Sequence, residues 1–132
     1  MKELETTIKG LKYSDDGLIP AVCVDQESGK VVMVAYMNID SLRDTIKTGK
    51  THFWSRSRQK YWMKGESSGH TQEVKAIYTD CDADTLVIEV AQNGAACHEG
   101  YFSCFYRKLN KEGAWDIISE KLFDPDEVYG KK

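Results

Sequence analysis

The amino-acid sequence predicts a small, β-rich α+β domain with one or two flanking helices. Several short, Val-rich or aromatic segments are bounded by turn-forming residues, a pattern typical of strands. One segment near residue 40 carries capping residues at both of its ends, which predicts a helix. No repeat, low-complexity tract or linker interrupts the 132 residues, so we expect residues 1–132 to form a single domain.

The first elements are a short helix and a β-hairpin. Residues 3–9 can form the helix, and Gly17 opens a turn after it. Strands are predicted at residues 19–25 and 30–37, because both segments are rich in valine and other apolar residues. The four residues between them have the length of a hairpin loop.

The second helix follows the hairpin. Asn38 or Asp40 can cap its first turn, it runs to Lys47, and Gly49 is placed to end it. Its apolar side is predicted to hold Ile39, Leu42 and Ile46.

The rest of the chain is predicted to be mostly strands and loops. The predicted strands are 51–55, 60–64, 72–78, 85–90 and 102–109. Polar loops are expected at 65–70 and 93–100, and 115–122 has helical spacing. Lys131 and Lys132 are expected to fray at the terminus.

Composition excludes several classes of function. Hydrophobic residues make up 41% of the chain and charged residues 30%, which argues against general disorder. The net charge of -3 argues against a protein that coats nucleic acid. No apolar run has the length of a membrane span, and the charged N-terminus lacks the apolar core of a secretory signal. We therefore expect a cytoplasmic enzyme or binding domain without nucleic-acid or membrane partners.

The four cysteines fit a reducing compartment. In such a compartment thiols bind metals or react more often than they form disulfides. Two disulfides or buried structural thiols are the alternatives. Cys23 lies in an apolar strand, so a buried structural role is preferred for it. The remaining cysteines are Cys81, Cys97 and Cys104.

An acidic triplet follows the strand predicted at residues 72–78. Asp80, Asp82 and Asp84 lie on one face if the segment is extended, and Cys81 then points to the other face. Three carboxylates suit a hard cation such as Mg²⁺ or Ca²⁺. An EF-hand loop is excluded, because Thr85 and Ala91 stand where Gly and Glu are required. The alternative is a solvated acidic turn.

Three cysteines within 24 residues suggest a zinc site. Cys81, Cys97 and Cys104 do not have the spacing of a zinc ribbon, but three thiolates bind Zn²⁺ and leave one position open for water. His98 could then shuttle a proton. On spacing alone, three buried core thiols are an equally good interpretation.

A basic and aromatic segment occupies residues 52–70. Its arginines, lysines, serines and glycines are the groups that bind phosphate. The candidates are Arg56, Ser57, Arg58, Lys64 and Ser68. Trp54 and Trp62 can stack on a base, but core packing is the preferred interpretation for both.

Four sequence blocks together resemble the phosphoribosyl-AMP cyclohydrolase family of histidine biosynthesis. They are GLIPAVCVDQESGKVVMVAYMN, FWSRSRQKYWMKGESSGH, DCDADTLVIEV and AACHEGYFSCFYR, which span residues 17–107 in order. The resemblance implies hydrolysis of the N1–C6 bond in the adenine ring of 1-(5-phosphoribosyl)-AMP. It also implies a small barrel-like sheet in an intertwined homodimer that uses Zn²⁺ and Mg²⁺, with the single activity of the monofunctional form.

The resemblance assigns the metal ligands. It implies that Asp80, Asp82 and Asp84 hold Mg²⁺. It implies that Cys81, Cys97 and Cys104 hold Zn²⁺, with ligands shared across the dimer interface. His98 and His70 are then the candidates for proton transfer, and the basic segment faces a phosphate or ribose.

Three positions depart from the family pattern. Ala95 stands in place of a proline, Glu99 in place of a threonine, and Tyr101 where a basic residue is frequent. All expected metal ligands are retained. The alternative functions are a non-enzymatic zinc-stabilised domain that binds nucleotides or RNA, with His98 as a fourth zinc ligand, and an interaction domain with core thiols.

Overall fold

The computed structural model of this chain describes residues 2–123, which contain eight strands and two helices. In chain order they are α1 (Lys2–Lys9), β1 (Ile19–Asp25), β2 (Val31–Met37), α2 (Ile39–Thr48), β3 (His52–Ser55), β4 (Lys60–Met63), β5 (Gln72–Thr79), β6 (Leu86–Gln92), β7 (Arg107–Leu109) and β8 (Trp115–Ile117). The predicted strand-rich α+β class is confirmed. No helix within the described residues is long and apolar enough to cross a membrane.

A mixed four-stranded sheet forms the centre of the fold. Its order is β2-β1-β6-β5, with β1 antiparallel to β2 and parallel to β6, and with β5 antiparallel to β6. The predicted hairpin of β1 and β2 is confirmed, with Ile19 opposite Met37. Burial alternates along β1 and β6, so that one face of each strand enters the core.

The sheet does not close into a barrel within residues 2–123, and the barrel-like prediction is wrong in this respect. Among the described residues, strand pairing beyond β5 is limited to an isolated bridge between Lys50 and Glu73. Directly after that bridge the chain pairs β3 with β4 rather than with the sheet edge. The result is an open sheet, with β3–β4 and β7–β8 as separate two-stranded ribbons.

Helix α2 confirms the predicted caps. The Asn38 side chain accepts the N–H of Ser41, and the Ser41 hydroxyl accepts the N–H of Asn38, which is a capping box. Gly49 ends the helix in the left-handed conformation, with φ of 76°. Leu42 is buried, but Ile46 is exposed, which corrects its predicted place on the packed side.

The core lies between the sheet, α2 and the β3–β4 ribbon. Its fully buried side chains include Ile19, Met37, Phe53, Ile88 and Val90. The Trp62 ring packs against Phe53 with ring centroids 4.9 Å apart, in agreement with the core interpretation of this tryptophan.

The segment after residue 100 differs most from the prediction. Only Arg107–Leu109 of the predicted strand 102–109 is a strand, because the preceding residues hydrogen-bond to other loops. The predicted helix at 115–122 is replaced by β8 and irregular backbone. Gly113, with φ of +85°, forms the turn that pairs β8 with β7. Lys131 and Lys132 lie outside the described residues.

Candidate functional site

The acidic turn joins β5 to β6 and brings its three carboxylates together. Ligand oxygens of Asp80, Asp82 and Asp84 all lie within 4.8 Å of one another on the surface. The backbone fixes this turn, because Ala83 has φ of 59° and its carbonyl accepts the Lys12 N–H at 2.7 Å. The triplet thus clusters in a turn, which was the alternative prediction, and not on one face of an extended segment; its oxygen donors suit a hard cation.

Electrostatics within the triplet favour a bound cation or a proton. The hydrogen bond with Asp80 is the main cause that raises the pKa of Asp84, and desolvation and the charges of Asp80 and Asp82 add to it. Desolvation alone would raise the pKa of Asp80, but hydrogen bonds from Asp84 and Thr85 outweigh it and lower that pKa. Repulsion among three ionised carboxylates is therefore unfavourable unless a cation or a proton neutralises part of the charge.

Cys97 and Cys104 form a pair beyond the other end of β6. The loop between them doubles back, since the N–H groups of Ala96 and Cys97 donate to the carbonyls of Phe102 and Tyr101 at 2.9 and 3.1 Å. The Cys104 N–H donates to the Val32 carbonyl at 2.7 Å and ties the loop to the sheet.

The Cys97 thiol affects the ionisation of Cys104. Desolvation raises the pKa of the Cys104 thiol to about 11, and the neighbouring Cys97 thiol adds to the increase. The pair thus offers two soft sulfur ligands, which a metal such as zinc would hold as thiolates.

Cys81 lies apart from this pair. It is exposed beside the aspartates, and its Sγ is 3.5 Å from Asp82 Oδ1. The seven residues of β6 separate the acidic turn from the Cys97 loop, a length of about 23 Å at ~3.3 Å per residue. Among the described residues, the aspartates are the only group of three or more side chains placed to share an ion, so one chain does not assemble all three thiols.

Lys64 is an unexpected neighbour of the paired thiols. Its ammonium group donates to the carbonyl of Ala96, directly before Cys97, and lies 6.0 Å from the Trp62 ring centroid. Desolvation lowers the pKa of Lys64, and the nearby thiols of Cys104, Cys97 and Cys23 oppose that shift. Lys64 was predicted as a phosphate-binding residue, and its contact with the cysteine loop was not predicted, because β4 and the loop after β6 meet only in the folded chain.

Cys23 confirms its predicted role as a core thiol. It is fully buried on β1, and desolvation raises its pKa to about 12. Such a thiol does not ionise near neutral pH.

Both candidate histidines lie at the loop after β6: His98 belongs to it and His70 contacts it. The Gly94 backbone packs against the His70 ring, whose centroid is 5.1 Å from that of Phe123. The Nδ1 atom of His70 is buried and has no hydrogen-bond partner among the described residues. His98 is 74% exposed, and its Nε2 is 3.3 Å from Glu99 Oε1.

The predicted phosphate residues fall into two groups. Arg56, Ser57 and Arg58 form the exposed tip of the β3–β4 ribbon, and the Arg56 guanidinium lies 4.6 Å from the Tyr36 ring centroid. Lys64 and Ser68 follow β4 at the other end of this ribbon, and the Ser68 hydroxyl accepts the His70 N–H at 3.1 Å.

The departures from the family pattern lie beside the cysteines. Ala95 is buried, and Glu99 is exposed next to His98. Tyr101 is buried and stacks on Tyr106 with centroids 3.7 Å apart. A tyrosine here therefore takes part in packing the loop that holds Cys97 and Cys104.

Comparison with known proteins identifies the relatives of this chain. The family model described as phosphoribosyl-AMP cyclohydrolase matches residues 33–106. A protein of that name from Pelotomaculum thermopropionicum is 52% identical over 125 residues, covering 95% of this chain and 97% of the relative. Proteins of the same name from Chlorobium phaeovibrioides and Methanobrevibacter smithii are 56% and 57% identical, covering 92% and 85% of this chain and 89% and 90% of those relatives.

Proposed function

The chain belongs to the phosphoribosyl-AMP cyclohydrolase family, and from this premise we propose how its own residues support that reaction. It is a hydrolase of histidine biosynthesis that opens the adenine ring of 1-(5-phosphoribosyl)-AMP. Water adds to C6, the N1–C6 bond breaks, N1 takes up a proton, and the exocyclic nitrogen remains in a carboxamide.

The proposed magnesium site is the acidic turn. Mg²⁺ takes oxygen ligands at about 2.0–2.1 Å, so two opposite ligands are about 4 Å apart. At most two of three ligands can be opposite and adjacent ones are about 2.9 Å apart, so the oxygens of Asp80, Asp82 and Asp84, which lie within 4.8 Å of one another, would move closer by up to about 2 Å. Their exposure leaves room for waters or a substrate phosphate.

The proposed zinc site joins two subunits. Cys97 and Cys104 are paired, and the length of β6 keeps the chain's own third thiol away from them. A homodimer resolves this if Cys81 of the partner subunit completes the set. Because a two-fold axis makes such an exchange reciprocal, each dimer would hold two equivalent zinc sites.

Zinc in this position would supply a Lewis acid that makes water nucleophilic near neutral pH. Three protein ligands are the number that leaves a catalytic zinc one open position. The Nδ1 of His70, buried without a hydrogen-bond partner among the described residues, makes His70 a candidate for proton exchange if the bound substrate reaches it. His98, whose Nε2 faces Glu99, is the second candidate for proton transfer.

We assign one substrate phosphate to the ribbon tip. Arg56, Ser57 and Arg58 there present two guanidinium groups and a hydroxyl to solvent, which suits an anionic oxygen cluster. Ser68 lies beside His70 and is placed for the ribose or the second phosphate. No nucleic-acid or membrane partner is needed. The cytoplasm is the expected compartment, since the thiol ligands must stay reduced.

One observation carries this proposal: metal-ligand groups lie at both ends of β6. The aspartate oxygens lie before the strand, and the sulfurs of Cys97 and Cys104 lie after it. The alternative of a closed structural zinc site with His98 as fourth ligand is not favoured, because that side chain points to solvent and faces Glu99.

Turnover of phosphoribosyl-AMP by the purified protein, followed by the absorbance change of ring opening, tests the metal dependence. We expect a zinc chelator to stop the reaction and added Zn²⁺ to restore it. Full turnover in a chelated sample shown to be free of zinc would refute the zinc proposal.

A further inference from the structure

Lys64 occupies a position that phosphate binding does not explain. It directly follows β4, whereas the arginines of the ribbon tip lie at the other end of that four-residue strand. That strand is about 13 Å long at ~3.3 Å per residue. Its Nζ points to the loop of Cys97 and not to the surface of the tip.

Within residues 2–123 the Lys64 ammonium group forms no salt bridge with a carboxylate. The groups near it are the Ala96 carbonyl, the Trp62 ring and the thiols of Cys97 and Cys104. A half-buried cation is costly unless it is hydrogen-bonded or balanced by negative charge. Zinc-bound thiolates at Cys97 and Cys104 would supply that charge beside the ammonium group.

We propose that Lys64 is a positioning residue of the cysteine site. Its ammonium group fixes the backbone directly before Cys97 and balances the charge of the assembled thiolates. Three thiolates outweigh the charge of one Zn²⁺ by a single negative charge, and Lys64 supplies the matching positive charge. Partners of this kind orient metal ligands and influence metal affinity. This inference rests on the proposed zinc site.

The test compares zinc affinities of metal-loaded dimers by competition with a chromophoric chelator. The variants are Lys64→Met, which removes the charge and the donor, and Lys64→Arg, which keeps both. Lys60→Met is the matched control, because Lys60 is exposed on the same strand. We expect Lys64→Met to bind zinc about 10- to 100-fold more weakly. We expect Lys64→Arg to recover most of that loss and Lys60→Met to match the parent.

Kinetics separate this role from phosphate binding. With zinc saturating, we expect the KM of Lys64→Met for phosphoribosyl-AMP to stay near that of the parent. A raised KM with parental zinc affinity would overturn the inference and return Lys64 to the phosphate site. If Lys64→Met does not fold, as judged by circular dichroism, Lys64→Gln replaces it with a polar group without charge, and weaker zinc binding is again expected.

The zinc measurements also distinguish a failure of the proposed role of Lys64 from a failure of the proposed zinc site. A parent dimer that binds no stoichiometric zinc would refute the cysteine site and the role of Lys64 together. Equal zinc affinities in the parent and Lys64→Met would refute the role of Lys64 alone.

Discussion

Mixing two inactive variants tests whether the zinc ligands come from two subunits. Cys81→Ala and Cys97→Ala should each be inactive as homodimers, since each removes a ligand from both sites. In a heterodimer, one site combines Cys97 and Cys104 of the first variant with an intact Cys81 of the partner subunit. The other site collects both substitutions and is lost.

The expected yield follows from this geometry. Random exchange of an equal mixture makes half of the dimers heterodimers, and each has one intact site out of two. The mixture should therefore regain about a quarter of the parent activity from two inactive samples. The recovered activity should be easy to detect, because neither variant is active alone.

The assay dissociates and reassociates the mixed variants, then measures ring opening with Zn²⁺ and Mg²⁺ present. The parent protein taken through the same steps sets the reference, and each variant alone sets the background. No recovery, with heterodimers demonstrated by differently tagged chains, would show that the ligands are not exchanged between subunits. It would refute the argument from the length of β6.

Three further predictions follow from the described side chains. Asp82→Asn removes one charged oxygen ligand from the acidic turn, so half-maximal activation should need more Mg²⁺, as a titration of turnover measures. Gly94→Ala should lower the activity and the melting temperature, because its Cβ would lie 2.6 Å from His70 Cδ2 and its φ of +76° costs a non-glycine residue about 1–2 kcal/mol. Desolvation works to raise the pKa of Asp25, but hydrogen bonds from Ser28 and Gln92 outweigh it and leave that pKa lowered. The carboxylate therefore stabilises the fold above its unfolded-state pKa of about 4, and this stability is lost as the pH falls through the folded-state value. Asp25→Asn should accordingly flatten the fall in melting temperature below about pH 5.

Each of these predictions has a contradicting outcome. Parental Mg²⁺ response in Asp82→Asn would show that this carboxylate is not a ligand. For Gly94→Ala, the matched control is Gly29→Ala, which has a similar positive φ but open space around its Cβ. Equal activities in these two variants would show that the contact between Gly94 and His70 does not matter for activity. An unchanged acid profile in Asp25→Asn would mean that other groups dominate the acid transition.

The locally determined parts of the fold were predictable. The caps of α2 depend on Asn38, Ser41 and Gly49, which lie next to the helix they begin or end. The β1–β2 hairpin similarly joins segments separated by a short loop. Here the sequence pattern and the final contacts involve the same few residues, so the pattern was sufficient.

Features that depend on distant contacts were not predictable. The segment before β7 has the composition of a strand, yet Cys104 bonds to Val32 and the backbone of Tyr101 bonds to Cys97. The open edge of the sheet could not be predicted either, because it depends on the pairing of β3 with β4 and not with β5.

The candidate site divides in the same way. The members of the acidic triplet lie close together in sequence, so their clustering was predictable, although it forms in a turn and not in an extended segment. The place of Lys64 beside the thiols depends on the packing of β4 against the loop after β6, about thirty residues further along the chain. No pattern of spacing reports such a contact.

Diffraction from crystals of the zinc-loaded protein, collected at the zinc absorption edge, tests the central claim most directly. We predict an anomalous peak bonded to Cys97 and Cys104 of one chain and to Cys81 of the partner subunit, about 2.3 Å from each sulfur. A peak held by thiols of a single chain, or no zinc at the cysteines, would contradict the account.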